Sequence, residues 1–366
     1  MTSRGRPPFR ADHVGSLLRP RSLLELRERA ARGEVSPAAL RAHEDECIRA
    51  VVSLQESIGL EGISDGEYRR ESFHGDFMRR IEGVAFELAT PGRASLAGGP
   101  FVAVVSKRMR RPAGGIEVEN FRYLRSLTAR TPKQTIPSPT MAHFRGGRET
   151  IDAGAYPDMS EFFADLARVY REEVEDLAEA GCRYLQLDDT NLAYLCDERI
   201  RARIEERGES LDRLPGDYAR LINESIRGRP ADMAVCIHLC RGNARSRWFA
   251  EGGYEAIAET LFNEIDVDGF FLEYDDERSG DFAPLRFVPK SKAVVLGLVT
   301  TKRGALEDAD VLRRRVDEAS RYLPLDQLCL SPQCGFASAA EGNLLTEDEE
   351  KRKLELIVEL AARIWS

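Results

Sequence analysis

Short apolar runs alternate with longer amphipathic stretches along most of the chain. Such runs predict buried strands, whereas apolar residues at helical spacing predict amphipathic helices. The pattern predicts eight strands, at residues 9–14, 62–65, 133–137, 183–188, 233–239, 269–273, 293–298 and 328–331. The most regular helix is predicted over residues 159–180, and Gly181 is expected to end it. Strands that alternate with helices in this way are typical of a parallel sheet with crossover helices.

The chain length of 366 residues suits a single (β/α)8 TIM barrel with insertions. We therefore predict an α/β fold of this type, formed by one domain over residues 1–366, because no linker rich in Pro, Gly or Ser divides the chain. One stretch breaks the alternation of strands and helices. Residues 83–88 and 101–108 predict a β-hairpin inserted after the second strand, within an insertion of about residues 83–115.

Composition narrows the class of protein further. Hydrophobic residues make up 42% and charged residues 31% of the chain, which argues against a disordered or membrane-spanning protein. The net charge of −9 argues against a nucleic-acid partner. We predict no membrane association and a cytoplasmic location, since no segment reads as a signal peptide or a membrane span. The seven cysteines lack the spacing of a disulfide framework, so we expect thiols or metal ligands.

Four side chains that can bind a metal stand at or just after the ends of predicted strands. His238 and Cys240 lie at the end of the fifth apolar run, Glu273 ends the sixth, and Cys334 follows the eighth. In a parallel barrel the carboxyl ends of all strands meet at one rim, which would bring these side chains together. Residues i and i+2 of a strand point to the same side, so His238 and Cys240 can share one ion, whereas Cys236 would lie deeper in the core. The set predicts a zinc (Zn²⁺) site of one imidazole, two thiolates and one carboxylate.

A single cysteine or histidine in such a place is more often a buried structural residue than a ligand, so the prediction depends on the whole set. Thiolate ligands reduce the Lewis acidity of zinc, and the set therefore suits the binding of a thiol better than the activation of water. Coordination lowers the pKa of a bound thiol from about 8.5 and keeps it as the nucleophilic thiolate. The residues indicate a zinc enzyme that alkylates a thiol.

The sequences around these four residues resemble the catalytic, C-terminal barrel of cobalamin-independent methionine synthase. The matching motifs are His-Leu-Cys at 238–240, Phe-Leu-Glu at 271–273 and Pro-Gln-Cys-Gly at 332–335. The resemblance covers nearly the whole chain and implies zinc ligation by His238, Cys240, Glu273 and Cys334. It further implies a methyltransferase of methionine biosynthesis, which transfers a methyl group to the zinc-bound thiolate of homocysteine.

The resemblance also implies how the amino-acid part of the thiol is held. Val14-Gly15-Ser16 is similar to the family segment whose backbone and hydroxyl hold the substrate carboxylate. Glu67 and Asp188 match the two family carboxylates that hold the substrate ammonium group. Without the resemblance, Glu67 could equally be a solvated partner of Arg69 or Arg70.

The predicted site for the methyl donor departs further from the family. The family has a tryptophan after the third strand that packs on the pterin, and Phe144 stands near that place in this chain. A phenyl ring stacks more weakly and has no N–H group. Methylated folate, a methylated corrinoid and another small donor therefore all stay open. Arginines that follow several strands could bind a carboxylated donor, and Arg241 is of interest because it directly follows Cys240.

Two other classes of function also stay open. The architecture is similar to that of epoxyalkane:coenzyme M transferase, an alkyltransferase whose thiol carries a sulfonate instead of an amino acid. Glu67 and Asp188 favour a thiol with an ammonium group, so homocysteine is the leading candidate. A non-catalytic zinc protein would need a closed ligand shell and no substrate anchors. The predicted partners are thus a small-molecule thiol and a methyl donor, and the sequence leaves a homo-oligomer open.

Overall fold

The computed structural model describes residues 5–88, 96 and 101–366 of the chain. The β-strands are β1 (Gly62–Ile63), β2 (Glu82–Leu88), β3 (Phe101–Arg110), β4 (Thr131–Pro132), β5 (Gln134–Pro137), β6 (Tyr184–Asp189), β7 (Ala234–Leu239), β8 (Gly269–Glu273), β9 (Ala293–Val299) and β10 (Leu328–Pro332). The α-helices are α1 (Arg21–Ala31), α2 (Pro37–Ile58), α3 (Gly75–Arg80), α4 (Val118–Leu127), α5 (Met159–Glu179), α6 (Asn191–Tyr194), α7 (Glu198–Glu206), α8 (Leu214–Ile226), α9 (Ala309–Ala319) and α10 (Glu347–Ile364). The protein therefore has the α/β organisation that the apolar pattern predicted.

Six strands form one parallel sheet in the order β10-β9-β8-β7-β6-β5. Strands that are consecutive in the sequence are therefore neighbours in space. At one edge, the N–H of Lys133, just before β5, donates to the carbonyl of Ile63 in β1 at 2.8 Å. At the other edge, Ala11 forms a parallel bridge with Leu330 of β10. Parallel pairing thus extends beyond both edge strands of the sheet.

The first predicted strand, residues 9–14, is reduced to the single bridge at Ala11. Side chains take over the backbone hydrogen bonds on both sides of this bridge. The carboxylate of Asp12 accepts from the N–H groups of Phe9 and His13, at 3.0 and 2.8 Å, and the ammonium of Lys133 donates to the carbonyl of His13. Backbone groups that side chains occupy cannot form a longer ladder. The other seven predicted strands are confirmed, with ends that differ by at most two residues.

The predicted helix over residues 159–180 is α5. Asp158 caps its first turn, where the side-chain carboxylate accepts from the N–H of Ser160 at 2.8 Å. Gly181 has a φ of 96°, and the N–H of the following Cys182 donates to the carbonyl of Leu177 at 2.8 Å. This is the hydrogen-bond pattern with which a left-handed glycine ends a helix. The buried face of α5 packs against α8 and β3.

The strands of the predicted insertion, β2 and β3, pair antiparallel, from Glu82 opposite Arg110 to Leu88 opposite Phe101. They follow β1 along the chain and pack against α3 and α5. Residues 89–95 and 97–100, where the predicted turn falls, lie outside the described residues. The bounds of the insertion and the single domain therefore stay predictions.

The two faces of the sheet carry different groups of buried residues. The largest apolar cluster contains the helix faces together with every second residue of the strands, such as Leu185, Ile237 and Leu296. A smaller cluster on the opposite strand face contains Phe9, Val14, Tyr184, Cys236, Phe271, Val295 and Cys329. Cys236 thus lies deeper than His238 on the same face of β7, as predicted. In the part of the chain described, no helix is long and apolar enough to cross a membrane.

Candidate active site

Buried polar side chains collect at the carboxyl ends of the parallel strands. Asp188 and His238 stand near the ends of β6 and β7, Glu273 is the last residue of β8, and Cys334 follows β10. A cavity of about 720 Å³ is lined by most of the predicted site residues, including Asp188, His238 and Cys334. Ligands of parallel α/β sheets bind at these strand ends, so the cavity is the candidate active site.

Three of the four predicted metal ligands lie together. Ligand atoms of His238, Cys240 and Cys334 all lie within 4.8 Å of one another, and the two Sγ atoms are 3.2 Å apart. Glu273 is outside this compact set, although its Oε1 lies 3.8 Å from the Sγ of Cys240. The fold therefore brings all four residues together, with the Glu273 carboxylate next to the Cys240 sulfur.

The chemistry of this group suits a cation. Both ring nitrogens of His238 are buried and lack a hydrogen-bond partner among the described residues, which is costly unless a ligand engages them. Contact with the Cys240 thiol holds the pKa of Cys334 well below its usual range, while the same contact raises the pKa of Cys240. The Cys334 thiol is thus the more acidic of the two. An imidazole with two cysteine sulfurs and a nearby carboxylate fits zinc.

Positive groups surround the carboxylate of Glu273. Its Oε2 accepts from the backbone N–H of Arg241 at 2.9 Å, and Arg278 Nη2 and Lys302 Nζ lie 3.7 and 4.0 Å from its two oxygens. Burial raises the pKa of Glu273, and the charge of Lys302 opposes that rise. The side chain of Arg241 is fully buried and donates to the hydroxyl of Tyr254 at 2.7 Å. Arg241 therefore positions Glu273 and is not among the described residues that line the cavity.

Glu67 and Asp188 form a second acidic group on the cavity wall. Arg70 links them, since its Nε donates to Glu67 Oε2 at 2.9 Å and its Nη2 lies 3.7 Å from Asp188 Oδ2. Thr135 Oγ1 donates to the other oxygen of Glu67, and Gln186 Nε2 donates to Asp188, both at 2.7 Å. Burial, followed by repulsion from Glu67, raises the pKa of Asp188 to about 7. A cationic group of a ligand would relieve this repulsion.

The backbone is tightly constrained both at Glu67 and at Gly15, which packs against the Glu67 side chain. Glu67 itself has a φ of 61°, and its N–H donates to the carboxylate of Asp65 at 2.8 Å. Gly15 has a φ of 135°, and a Cβ there would lie 2.7 Å from Thr135 Cγ2 and 2.8 Å from Glu67 Oε1. Only glycine fits this close approach. Its neighbours Val14 and Ser16 both line the cavity, next to Glu67.

Phe144 does not occupy the position that the sequence predicted. It is fully buried, with its ring centroid 6.0 Å from that of Tyr194 and 6.4 Å from that of Tyr218, and it is not among the described residues that line the cavity. The 3₁₀ segment Pro139–Ala142 turns the chain after β5 and directs Phe144 into the core. Tyr194 and the half-exposed Trp248 present aromatic surface to the cavity instead.

Sequence reasoning missed three cations of the site. Lys302 and Arg278 lie beside Glu273, and Arg145 lines the cavity. Lys302 follows β9 closely, so its position at a strand end was a usable signal. The local sequence around Arg278 and Arg145 contains nothing that distinguishes them from surface arginines.

The fold and the cavity together define a class of protein: a parallel α/β protein with a candidate imidazole–thiolate metal centre beside a pair of carboxylates at its strand ends. Comparison with known proteins identifies the family. The profile described as "Cobalamin-independent synthase, Catalytic domain" matches residues 10–363. The chain belongs to this family.

Individual relatives agree with this assignment. The chain is 43% identical to the uncharacterized protein YxjH of Bacillus subtilis (strain 168), over 98% of this chain and 95% of that protein. It is 25% identical to a methionine synthase of Pyrococcus abyssi, over 88% and 85% of the two chains. A solved structure from Listeria monocytogenes, described as a candidate vitamin-B12-independent methionine synthase, is similar with 36% identity and a TM-score of 0.79, over 99% of both chains.

Proposed function

We propose that this protein is a zinc-dependent thiol methyltransferase that converts homocysteine to methionine. The observation that carries the proposal is the buried group of His238, Cys240 and Cys334, which borders the same cavity as Glu67 and Asp188. The first group suits a metal that binds sulfur, and the second suits an ammonium group. Homocysteine carries both a thiol and an ammonium group, and membership of the synthase family supports the same reaction.

The residues that would hold the zinc ion are His238, Cys240, Cys334 and, as a displaceable fourth ligand, Glu273. When bound, zinc would lower the pKa of the substrate thiol and keep it as a thiolate at neutral pH. Glu273 could leave the ligand set when the thiol arrives, because the side chains of Arg241, Arg278 and Lys302 around it would still compensate its charge.

Other residues of the cavity would orient homocysteine. Glu67 and Asp188 would accept hydrogen bonds from its ammonium group, while the backbone at Gly15 and the hydroxyl of Ser16 would bind its carboxylate. Anchoring both groups fixes the sulfur relative to the methyl donor, and such orientation supplies a large part of the rate enhancement in two-substrate reactions. The aromatic side chain of Tyr194 on the cavity wall would help to exclude water from the reacting sulfur.

We further propose that the parallel sheet closes into the predicted (β/α)8 barrel. The bridge between Ala11 and Leu330 at one edge, and the hydrogen bond from Lys133 to Ile63 at the other, support closure through residues 9–14 and β1. Closure would give all strands one common rim. It would account for a cavity whose walls come from the beginning, the middle and the end of the chain.

The two carboxylates separate this proposal from a transferase that acts on coenzyme M. The sulfonate of that thiol would meet Glu67 and Asp188, and repulsion between like charges would weaken its binding. A closed structural zinc site does not account for a cavity beside the metal ligands. The identity of the methyl donor stays open between a methylated folate, a methylated corrinoid and another small donor, and the cytoplasmic location stays a prediction.

An absorption titration of the cobalt-substituted protein tests the proposal. Homocysteine should increase the sulfur-to-cobalt charge-transfer band saturably, whereas 2-mercaptoethanesulfonate should leave it unchanged. No response to homocysteine would reject the proposed function. A response to the sulfonate alone would favour the coenzyme M reaction.

The variant Asp188→Asn tests the ammonium site. We expect unchanged zinc content and a loss of about 10- to 100-fold in homocysteine affinity, since a hydrogen bond to a charged group contributes about 1.5–3 kcal/mol. 4-Mercaptobutanoate, which is homocysteine without its amino group, is the matched control and should bind the variant and the wild type equally. An equal loss of affinity for both thiols would contradict a direct contact with the ammonium group.

A further inference from the structure

Arg145 lines the cavity without a partner for its charge. Its Nε is buried and has no hydrogen-bond partner, and no carboxylate of the described residues lies within ion-pair distance of its guanidinium. Other inward-facing arginines have partners for their charged ends: Arg19, whose Nε is also unpartnered, donates through Nη1 and Nη2 to four backbone carbonyls, and Arg111 pairs with three carboxylates on α5. A partly buried cation without a partner is costly, so its position in a cavity points to an anionic ligand.

Two neutral groups line the same cavity as Arg145. They are the hydroxyl of Tyr194 and the ring of His74, whose Nδ1 is buried without a partner in the described chain. Burial, followed by the charges of Arg145 and Arg79, holds the pKa of His74 well below its usual range. This end of the cavity is therefore electropositive, whereas the cysteine sulfurs and carboxylates make the other part negative.

Tyr194 connects the two parts of the cavity. Burial raises the pKa of its hydroxyl, the charge of Arg145 lowers it, and the charge of Cys240 raises it again. Tyr194 thus lines the same cavity as both the Arg145 guanidinium and the metal-binding sulfur of Cys240. Arg145 and the metal-binding Cys240 and Cys334 line one cavity of about 720 Å³, so one molecule in it can contact Arg145 while its reactive carbon lies at the metal group.

We propose that Arg145 binds an oxyanion carried by the alkyl donor, with His74 as a second contact. This inference rests on the proposed function, because it assigns the unpaired charge to the second substrate of that reaction. The thiol substrate already has anchors for its ammonium and carboxylate groups, at Glu67 and Asp188 and at Gly15–Ser16. A guanidinium presents paired N–H donors that match the oxygens of a carboxylate, phosphonate or sulfonate.

Saturation-transfer-difference NMR of the zinc-loaded protein tests the site with acetate, methylphosphonate and methanesulfonate. Each probe carries one methyl group and one oxyanion, so their relative affinities identify the class of anion. At least one probe should bind saturably, and Arg145→Gln should weaken its binding at least about tenfold. Arg145→Lys should keep part of the affinity, because the charge stays while the paired donors are lost. Arg247→Gln is the matched control: Arg247 lines the same cavity but is exposed, so its loss should change the affinity less than about twofold.

Binding of no probe, or equal binding to the wild type and Arg145→Gln, would overturn the inference. A lower Tm of Arg145→Gln would instead give the arginine a structural role, since removal of an unpaired charge should leave the Tm unchanged or raise it. Displacement of the probe by saturating homocysteine would assign the anion site to the thiol and overturn the donor assignment. A wild type that binds a probe but gives no cobalt response to homocysteine would reject the proposed function while the anion site stands.

Discussion

Replacing Gly15 by alanine tests whether close packing around Glu67 is required for both stability and thiol binding. The new Cβ would lie 2.7 Å from Thr135 Cγ2 and 2.8 Å from Glu67 Oε1, which are both below normal contact distance. Overpacking of this kind costs about 1–3 kcal/mol. The φ of 135° adds about 1–3 kcal/mol, since a residue with a Cβ is strained there. The expected loss in the free energy of unfolding is therefore about 2–6 kcal/mol.

Gly33 provides the matched control for this variant. It also has a positive φ, of 76°, but a Cβ there would have no atom within 4 Å. Gly33→Ala should therefore carry only the backbone strain, about 1–3 kcal/mol. Urea unfolding of both variants gives a difference that contains the contact energy together with the additional backbone strain at the φ of 135°. If Gly15→Ala costs no more than Gly33→Ala, the argument from close packing is wrong.

A double-mutant cycle with Thr135→Ser identifies the atom responsible. This substitution removes the Cγ2 methyl group that the new Cβ would meet, and it keeps the hydroxyl that donates to Glu67 at 2.7 Å. It should recover about 1 kcal/mol of the loss in Gly15→Ala. The homocysteine affinity of Gly15→Ala should fall about tenfold, because the Glu67 carboxylate must shift by several tenths of an ångström. Unchanged affinity would show that Glu67 does not bind the thiol.

Two further changes test the metal group and a buried carboxyl group. Cys334→Ala should lose zinc, measured by elemental analysis after dialysis. Cys182→Ala, a change at another buried cysteine, should retain it. A Cys334→Ala protein that still holds zinc would contradict the assignment of Cys334 as a ligand. Glu350 accepts from the N–H of Leu18 at 2.8 Å, and burial raises its pKa from 4.5 to about 8. Because the folded pKa exceeds the unfolded value, ionisation of Glu350 destabilises the fold increasingly as the pH rises from about 4.5 to about 8. Wild type should lose about 3 kcal/mol of unfolding free energy between about pH 5 and pH 8, measured by urea unfolding, and Glu350→Gln should remove this loss. Glu341→Gln, at an exposed position, should keep the loss. Parallel pH profiles of wild type and Glu350→Gln would refute the reasoning.

Strands and helices were predictable where the spacing of apolar residues indicates both the backbone conformation and the buried face. β9 is a continuous apolar run, β8 is apolar up to its last residue Glu273, and every residue in both is buried, as expected of strands covered on both faces. The start of the chain was not predictable in the same way. The ladder at residues 9–14 stops after Ala11 because Lys133, more than a hundred positions away, bonds to the backbone there.

The candidate site was predictable in part for the same reason. The positions of His238, Cys240 and Glu273 at strand ends predicted that they would meet, since parallel strands share one direction. The role of Phe144 was wrong, because a 3₁₀ turn in the preceding segment rotates its ring into the core. The role of Arg145 was not predictable, because its distinguishing property, the lack of a partner, depends on its surroundings in the fold and not on its local sequence.

The amino-acid pattern alone predicts the order of the strands and helices, the faces they bury, and the strand ends at which the metal-binding residues stand. These properties depend on side-chain periodicity and chain direction, which are local. Which charges are paired depends instead on the folded chain: Arg70 lies between Glu67 and Asp188, three cations surround Glu273, and Arg145 has no anion near it within the described chain. Electrostatic pairing depends on the distance between side chains, and residues far apart in the sequence reach that distance only when the whole chain has folded.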